Sequence, residues 1–332
     1  MTQLHQVALP LGTLTTELSE AEFDMIVVER EDNAADVAAF TLREVHGREL
    51  PAWEPGAHVD LLVPNIGPRQ YSLCGDVSDR RHWRVAILKE TGGRGGSRHL
   101  HETLAVDSTI RVRGPRNHFR LLPSDNYLFV AGGIGITPIL AMVAAVDRAG
   151  ANWQLVYGGR QLSSMAFLDE LASYGDRVSV WPQDEKGLID LASLLGVAQP
   201  DTKVYCCGPE PLLQAVEARC AHWPPDSLHV ERFVAPPLAE PARAEEFEVE
   251  LRKSGITVTV PPDRSILDVV TKAGVHVPSS CAAGTCGSCE TKVIEGTPEH
   301  RDAILTDAER KANNWMMICV SRCLGDRLVL DL

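Results

Sequence analysis

Ser280-Cys281-Ala282-Ala283-Gly284-Thr285-Cys286-Gly287-Ser288-Cys289 sets three thiols in a C-x4-C-x2-C pattern, and Cys319 follows 30 positions later within Met316-Met317-Ile318-Cys319-Val320-Ser321. That is the ligand spacing of a plant-type [2Fe–2S] centre. Such a centre needs four thiolates, two for each iron, and a loop that wraps its inorganic sulfides closely. Gly284 and Gly287, with the small residues Ser280, Ala282, Ala283 and Ser288, let backbone amides approach and hydrogen-bond the sulfurs. A structural zinc site would pair its cysteines in two C-x2–4-C knuckles instead of placing three in one glycine-bearing loop. A disulfide framework leaves those three without a sensible pairing in a reducing compartment. Cys281, Cys286, Cys289 and Cys319 are the expected metal ligands. Cys74, Cys206, Cys207, Cys220 and Cys323 lie outside the set, and a free buried cysteine ordinarily acts as a small hydrophobe.

Working outward, residues 247–260 alternate as a hairpin does and 265–273 read as a helix. They belong with the cysteine loop to a unit spanning 246–332. Ahead of it, 234–245 is rich in Pro, Ala and charge and keeps neither period, as an interdomain linker does. In 123–233 the rhythm is different: an apolar run at 127–131 leads through glycines into a helical stretch at 138–147. Strands at 153–157 and 203–207 and a helical run at 211–220 continue a β/α alternation, which predicts a parallel α/β sheet. Between 23 and 122, short alternating strands at 24–30, 40–45, 58–63, 83–88 and 109–112 predict a small antiparallel barrel. Residues 1–22 are an N-terminal extension.

A chain of 332 residues exceeds what one core usually supports, so several domains are expected. Its 45 acidic against 32 basic residues give a net charge of −13, which opposes binding to nucleic acid or to anionic lipid. The N-terminus has no basic segment followed by an apolar core, and no run of roughly 18 apolar residues could span a membrane. A cytoplasmic protein without a membrane segment is expected.

Val130-Ala131-Gly132-Gly133-Ile134-Gly135-Ile136-Thr137-Pro138 turns an apolar strand into a helix. Its glycines suit a tight turn beside a diphosphate, Thr137 can cap the helix, and Pro138 fits its first position. A purely structural turn is the competing reading. After the next strand, Tyr157-Gly158-Gly159-Arg160-Gln161 lacks the acidic side chain that commonly grips the ribose of NAD. Arg160, Ser163 and Ser164 could meet a 2′-phosphate, or be ordinary solvated loop residues.

In the first segment, Arg69-Gln70-Tyr71-Ser72 and the run Gly92-Gly93-Arg94-Gly95-Gly96-Ser97-Arg98 can form one site. Tyr71 and Ser72 offer a ring face and polar partners to a flavin. The amides of Gly95, Gly96 and Ser97, at the start of a helix ending near Leu104, offer donors to its phosphate, and Arg69 adds charge. Either motif alone is an ordinary strand or a flexible loop. Together with the other two sites they make chemical sense. A nicotinamide gives up two electrons as hydride, an iron–sulfur cluster accepts one at a time, and a flavin can do both.

These motifs carry a family likeness. Arg69-x-Tyr71-Ser72, Gly95-Gly96-Ser97, Gly114-Pro115-Arg116-Asn117-x-Phe119, the Gly132 to Pro138 turn, Cys207-Gly208-Pro209 and the four cysteines follow one another in a specific order. From about residue 23 the chain resembles the phthalate dioxygenase reductase group of the ferredoxin-NADP reductase superfamily. The resemblance implies FMN, held in an N-terminal barrel by Arg69, Tyr71, Ser72, Ile87, Lys89, Gly95, Gly96 and Ser97, with Phe233 near the ring. It implies a central nicotinamide domain in which Gly132, Gly133, Gly135, Thr137, Pro138, Arg160, Cys207, Gly208 and Pro209 face the nucleotide. It also implies a C-terminal β-grasp ferredoxin. Tyr71, Ser72 and Cys207 are the residues expected at the chemistry, although Cys207 could equally be a buried structural thiol. The family pattern has an aspartate after Arg160 that favours NADH, where this chain has Gln161; NADH is the expected donor and NADPH the alternative. Phe167, His99, His101 and His118 read as packing or surface residues.

The expected reaction is hydride transfer from the nicotinamide to FMN, then single-electron steps through the cluster to the Rieske centre of a terminal oxygenase. The chain is expected to be monomeric and to meet that partner transiently. A cytochrome P450 or other haem protein is the alternative acceptor. A redox-sensing iron–sulfur protein is an alternative of another class, and it leaves the flavin and nucleotide motifs without a purpose.

Overall fold

Residues 21–92, 95–235, 237–238 and 240–332 are described by the structure, a computed structural model. Positions 1–20 of the expected extension, and Gly93 and Arg94 of the glycine run, lie outside the described residues. Three successive sheets follow along the chain.

The first sheet contains β1 (Glu22–Ala34), β2 (Val37–Glu44), β3 (His58–Val63), β4 (Gly67–Ser72), β5 (His82–Leu88) and β6 (Thr109–Arg116), with α1 (Gly96–Thr103) between the last two. The strands are antiparallel in the order β4-β3-β6-β1-β2-β5, and a bridge from Leu73 to Val85 joins the two edges. Alternation delivers Phe40 and Leu42, Val59 and Leu61, and Val85 and Ile87 to a core shared with Trp83. β1 outruns its expected end because Asp36, at φ 61, turns it straight into β2. β4 has no apolar alternation at all; its ladder with β3 makes it a strand.

The second sheet is parallel and has the order β11-β10-β7-β8-β9. Its strands are β7 (Asn126–Gly132), β8 (Asn152–Gly159), β9 (Val178–Pro182), β10 (Thr202–Cys207) and β11 (Leu228–Glu231). The accompanying helices are α2 (Ile136–Arg148), α3 (Leu168–Ala172), α4 (Gln183–Lys186), α5 (Leu191–Leu195) and α6 (Glu210–Cys220). Tyr127, Phe129 and Ala131 point to the α2 face, whereas Leu128 and Val130 point to the face covered by α5 and α6. Both faces are buried, so the central strands read as continuous apolar runs. β9 and β11 are short, half-buried edge strands, which explains why their sequences gave no such signal.

α2 also packs on the barrel. Its Ala141 lies in the barrel core, while Val37, Ala39, Cys74 and Ala86 of the barrel extend the core beneath α2. Polar ties add to that seam: Ala35 N–H donates to Ser163 O at 2.8 Å, Phe167 N–H donates to Asn33 Oδ1 at 2.6 Å, and Arg84 pairs with Glu170 at 2.9 Å. Phe167 is indeed a packing residue, buried under the Arg84 guanidinium. Its left-handed φ of 63 keeps it outside the following helix, and α3 starts at Leu168.

The third sheet comprises β12 (Phe247–Leu251), β13 (Ile256–Val260), β14 (Glu290–Glu295), β16 (Trp315–Met317) and β18 (Arg327–Leu330), beside a small ladder of β15 (Pro298–Glu299) and β17 (Arg322–Cys323). β12 and β18 run parallel at its centre and α7 (Ile266–Lys272) covers one face; α8 (Asp307–Ala312) lies before β16. Ile266, Leu267 and Val270 of α7 bury themselves against Val249, Leu251, Leu328 and Leu330. Ser265 and Asp268 form the capping box that starts this helix.

Candidate functional site

The cysteine loop links α7 to β14. Ala283 N–H and Thr285 N–H donate to Cys281 Sγ at 3.3 and 3.4 Å, and Ser288 N–H donates to Cys286 Sγ at 3.5 Å. Cys281 lies within hydrogen-bonding contact of Cys286 and Cys319, and Cys289 of Cys319. Hydrogen bonding from Cys286 and Cys319 lowers the Cys281 pKa and outweighs burial. Four converging sulfurs, two of them with backbone amides aimed at them, fit the donor set of an iron–sulfur cluster. Gly284, at φ 71, brings the loop so close to Val320 that a Cβ would stand 2.7 Å from Val320 Cγ2.

Gly287 has a different reason for being glycine. At φ 71 its Cβ would fall 1.9 Å from Nε2 of His118, a side chain of the barrel unit. The loop is seated on the barrel there. His58, at the start of β3, has its ring 6.2 Å from that of His118 and faces the Cys286 backbone. Burial, then Arg116, lowers the His58 pKa to about 3. Burial, then Arg116, brings His118 to about 4, so both rings are neutral at pH 7. His118 is an exposed side chain that makes a contact between units, and its sequence neighbourhood did not disclose that contact.

Arg69, Tyr71 and Ser72 lie on β4, with Tyr71 opposite Val59 and Ser72 opposite His58. The second flavin motif meets the first: a Cβ on Gly96 would stand 2.5 Å from Arg69 Nε. Gly95, left-handed at φ 82, precedes α1 and supplies no side-chain cap, so the amides of the first turn suit an anion beside Arg69. Ser97 Oγ accepts from Glu90 N–H at 3.0 Å, which holds the loop against β5. Tyr71 is half-buried and its pKa is raised by burial, so it keeps its proton. Ile87 lies wholly in the barrel core with its carbonyl bonded to His101 Nε2 at 2.8 Å, and Lys89 N–H donates to Asp36 O at 2.7 Å. Phe233 follows β11 and is 43% exposed, which leaves its ring available to a bound group. A cation and open helix amides on one side, with an aromatic and a buried hydroxyl on the other, suit a flavin mononucleotide.

The nucleotide motifs converge where the parallel sheet reverses its order, between β7 and β10, the usual position for a ligand crevice. Here the glycines divide by role. A Cβ on Gly135 would lie 2.3 Å from Cys207 O, and one on Gly132 would lie 2.7 Å from Pro209 Cδ. Those two, with Gly208, let the β7 and β10 loops touch backbone to backbone. Gly133, at φ 54, has nothing within 4 Å and opens outward. The capping expectation needs correction. α2 begins at Ile136, so Pro138 is its third residue, and the Thr137 hydroxyl donates back to Ile134 O at 3.0 Å. A short 3-10 turn at Gly133–Gly135 runs into the helix and moves its start forward. Arg160 is exposed at the end of β8 beside Gln161, and the Ser164 hydroxyl donates locally to Gln161 O at 2.8 Å.

Cys207 is fully buried, and its Sγ lies 3.9 Å from Glu231 Oε2. Burial raises both groups, the carboxyl to about 8. Glu231 was not anticipated; a lone acid closing the strand Leu228-His229-Val230-Glu231 was the available signal. Among the described residues, no helix is long and apolar enough to cross a membrane.

An antiparallel flavin-type barrel, a parallel nucleotide sheet and a ferredoxin unit define a ferredoxin-NADP reductase-like iron–sulfur reductase. A 2Fe-2S iron-sulfur cluster binding domain matches residues 249–324, and an oxidoreductase NAD-binding domain matches 129–218. The chain is 42% identical over 301 residues to phenoxybenzoate dioxygenase subunit beta of Ectopseudomonas oleovorans, covering 90% of this chain and 94% of that one. It is 37% identical to phthalate dioxygenase reductase of Burkholderia cepacia, covering 96% and 100%. The chain belongs to the phthalate dioxygenase reductase family. Among solved structures, phthalate dioxygenase reductase aligns with a TM-score of 0.68 at 36% identity, over 94% of this chain and 98% of that one. An intact type IV self-sufficient cytochrome P450 monooxygenase aligns with a TM-score of 0.90 at 47% identity; 94% of this chain is covered, but only 41% of the P450 chain.

Proposed function

We propose that this protein takes hydride from NADH onto an FMN held in the barrel and delivers the electrons, through its [2Fe–2S] cluster, to the Rieske centre of a terminal oxygenase. The supporting observation is the seating of the cysteine loop on the barrel: Gly287 packs on His118, and His58 bridges the strand opposite Ser72 to the Cys286 backbone. The two groups are thereby brought to one seam, as a relay requires. Within the relay, Tyr71 and Ser72 orient the ring, Arg69 and the Gly95 to Ser97 turn hold its phosphate, and Gly133 faces the diphosphate of the nicotinamide. Cys207 and Glu231 line the nicotinamide end, both protonated at pH 7. When bound, the flavin accepts electrons in pairs and the cluster passes them singly. Plant-type clusters lie at roughly −400 mV and Rieske centres at roughly −150 mV or above, so delivery runs downhill. The relatives named as reductase subunits of oxygenase systems, among them the phthalate 4,5-dioxygenase reductase of Pseudomonas putida at 38% identity, support that class of acceptor. We place the protein in the cytoplasm as a monomer.

A haem acceptor is the second reading, and the 47% identity to the P450 monooxygenase favours it. Supplying the purified reductase with a Rieske oxygenase component or with a P450, and following NADH-dependent turnover, separates the two. In the same protein, Cys286→Ser is expected to abolish cytochrome c reduction and to leave flavin reduction by NADH intact. Retention of both would remove the cluster from the route. Running the assay with NADPH tests the choice of donor.

A further inference from the structure

We propose that Asp60 is a positioning residue for the electron hand-over, a latch that holds the cluster loop against the flavin strand pair. The proposal rests on the relay described above and assigns it a specific mechanical part. Asp60 sits on β3 directly opposite Gln70, between the flavin residues Arg69 and Tyr71 of β4. Its carboxylate is wholly buried and divides its two oxygens between two tasks. Oδ2 takes Arg113 Nη2 at 3.0 Å and Arg116 Nη2 at 2.8 Å, both from the end of β6. Oδ1 accepts from the Ser280 hydroxyl at 3.1 Å, which belongs to the residue just before Cys281. Arg113 Nη2 also donates to Ser279 O at 3.2 Å. The loop is therefore held at two successive residues by a charge cluster rooted in the barrel.

A buried ion pair inside a barrel is commonplace and usually has only local partners. This one reaches 220 residues along the chain to the loop that carries three of the four ligands. Burial works against the Asp60 carboxylate, yet Arg116 and Arg113 outweigh it and keep it ionised, so the acceptor for Ser280 is charged and the bond correspondingly strong. Loss of that charge would take the Asp60 carboxylate away from two largely shielded guanidinium groups at the seam. The loop would keep its contact at His118 and lose its tie from Ser280 to the strand paired with β4.

The test uses the full-length protein loaded with flavin and iron, as the unsubstituted chain and as Asp60→Asn and Ser280→Ala. Two quantities are read: hydrogen exchange at residues 279–287, and the stopped-flow rates of flavin reduction by NADH and of cluster reduction by flavin. Ser280→Ala removes one cross-unit hydrogen bond and is expected to raise exchange about two- to ten-fold. Asp60→Asn is expected to raise it further and to slow flavin-to-cluster transfer at least about ten-fold, with the NADH step and its KM unchanged. A mere loss of stability would not separate the two transfer steps. Unchanged exchange and unchanged cluster reduction in Ser280→Ala and Asp60→Asn would overturn the latch. If Asp60→Asn fails to hold its cofactors, Ser280→Ala decides through exchange and the cluster step. An unsubstituted protein that reduces its flavin but never its cluster would refute the relay, while exchange would still report on the latch.

Discussion

Glu231 and Cys207 show how burial sets the protonation of two neighbouring side chains, of which the sequence singled out only Cys207. The Glu231 carboxyl is raised from 4.5 to about 8 because its charge is poorly solvated at the end of half-buried β11, where Oε2 lies 3.9 Å from the Cys207 thiol. A raised value means that the native state binds this proton more tightly than the unfolded chain does. The stability it contributes is complete below pH 4.5 and is lost as the pH climbs through about 8. Glu231→Gln cannot ionise, so its thermal midpoint should fall less than that of the unsubstituted protein across that interval. Equal falls would show that the carboxyl is not held neutral. His118 teaches a related lesson: a lone histidine after Arg116-Asn117 reads as surface or packing, and only the docked loop reveals what it touches.

The turn from β7 into α2 is the element whose motif was read most directly, and its glycines are not equivalent. Gly135→Ala would drive a Cβ to 2.3 Å from a carbonyl oxygen that cannot move aside. We expect a loss of about 1–3 kcal/mol or more, measured as a lower thermal midpoint. Gly133→Ala meets no atom and strains only its φ of 54, so it should cost about 1 kcal/mol. If a dinucleotide lies over Gly133, that variant should raise the KM for NADH with little change in kcat. An unaltered KM would place the diphosphate elsewhere. The pair separates glycines needed for packing from the one that faces the ligand, a distinction invisible in the string Gly-Gly-Ile-Gly. The same limit explains β4: a strand made by its neighbour's hydrogen bonds has no pattern of its own to read.

At the scale of the molecule, charge and seams matter most. The net charge of −13 suits a transient encounter with a basic patch on the oxygenase. Electron delivery to that partner should therefore slow as ionic strength rises from about 0.01 M to 0.15 M, where the screening length shrinks from about 30 Å to 8 Å. Flavin reduction by NADH, which needs no second protein, should hold steady over the same range. A salt-independent delivery rate would count against electrostatic docking. Inside the chain, the barrel and the parallel sheet share a continuous apolar core through α2, whereas the ferredoxin unit meets the barrel through the polar cluster around Asp60.

Local information was enough for much of this protein. Thiol spacing names the cluster, a glycine-rich passage from strand to helix names the nucleotide turn, and the change from period two to β/α alternation separates the units, because each of these is a relation among residues near in sequence. What the sequence could not contain is which distant side chains become neighbours. The pairing of Arg69 with Gly96, the contact of His118 with Gly287, the burial of Glu231 beside Cys207 and the reach of Asp60 to Ser280 exist only once the three sheets have packed. Burial and long-range contact set the energies of these groups, and both are properties of the folded chain.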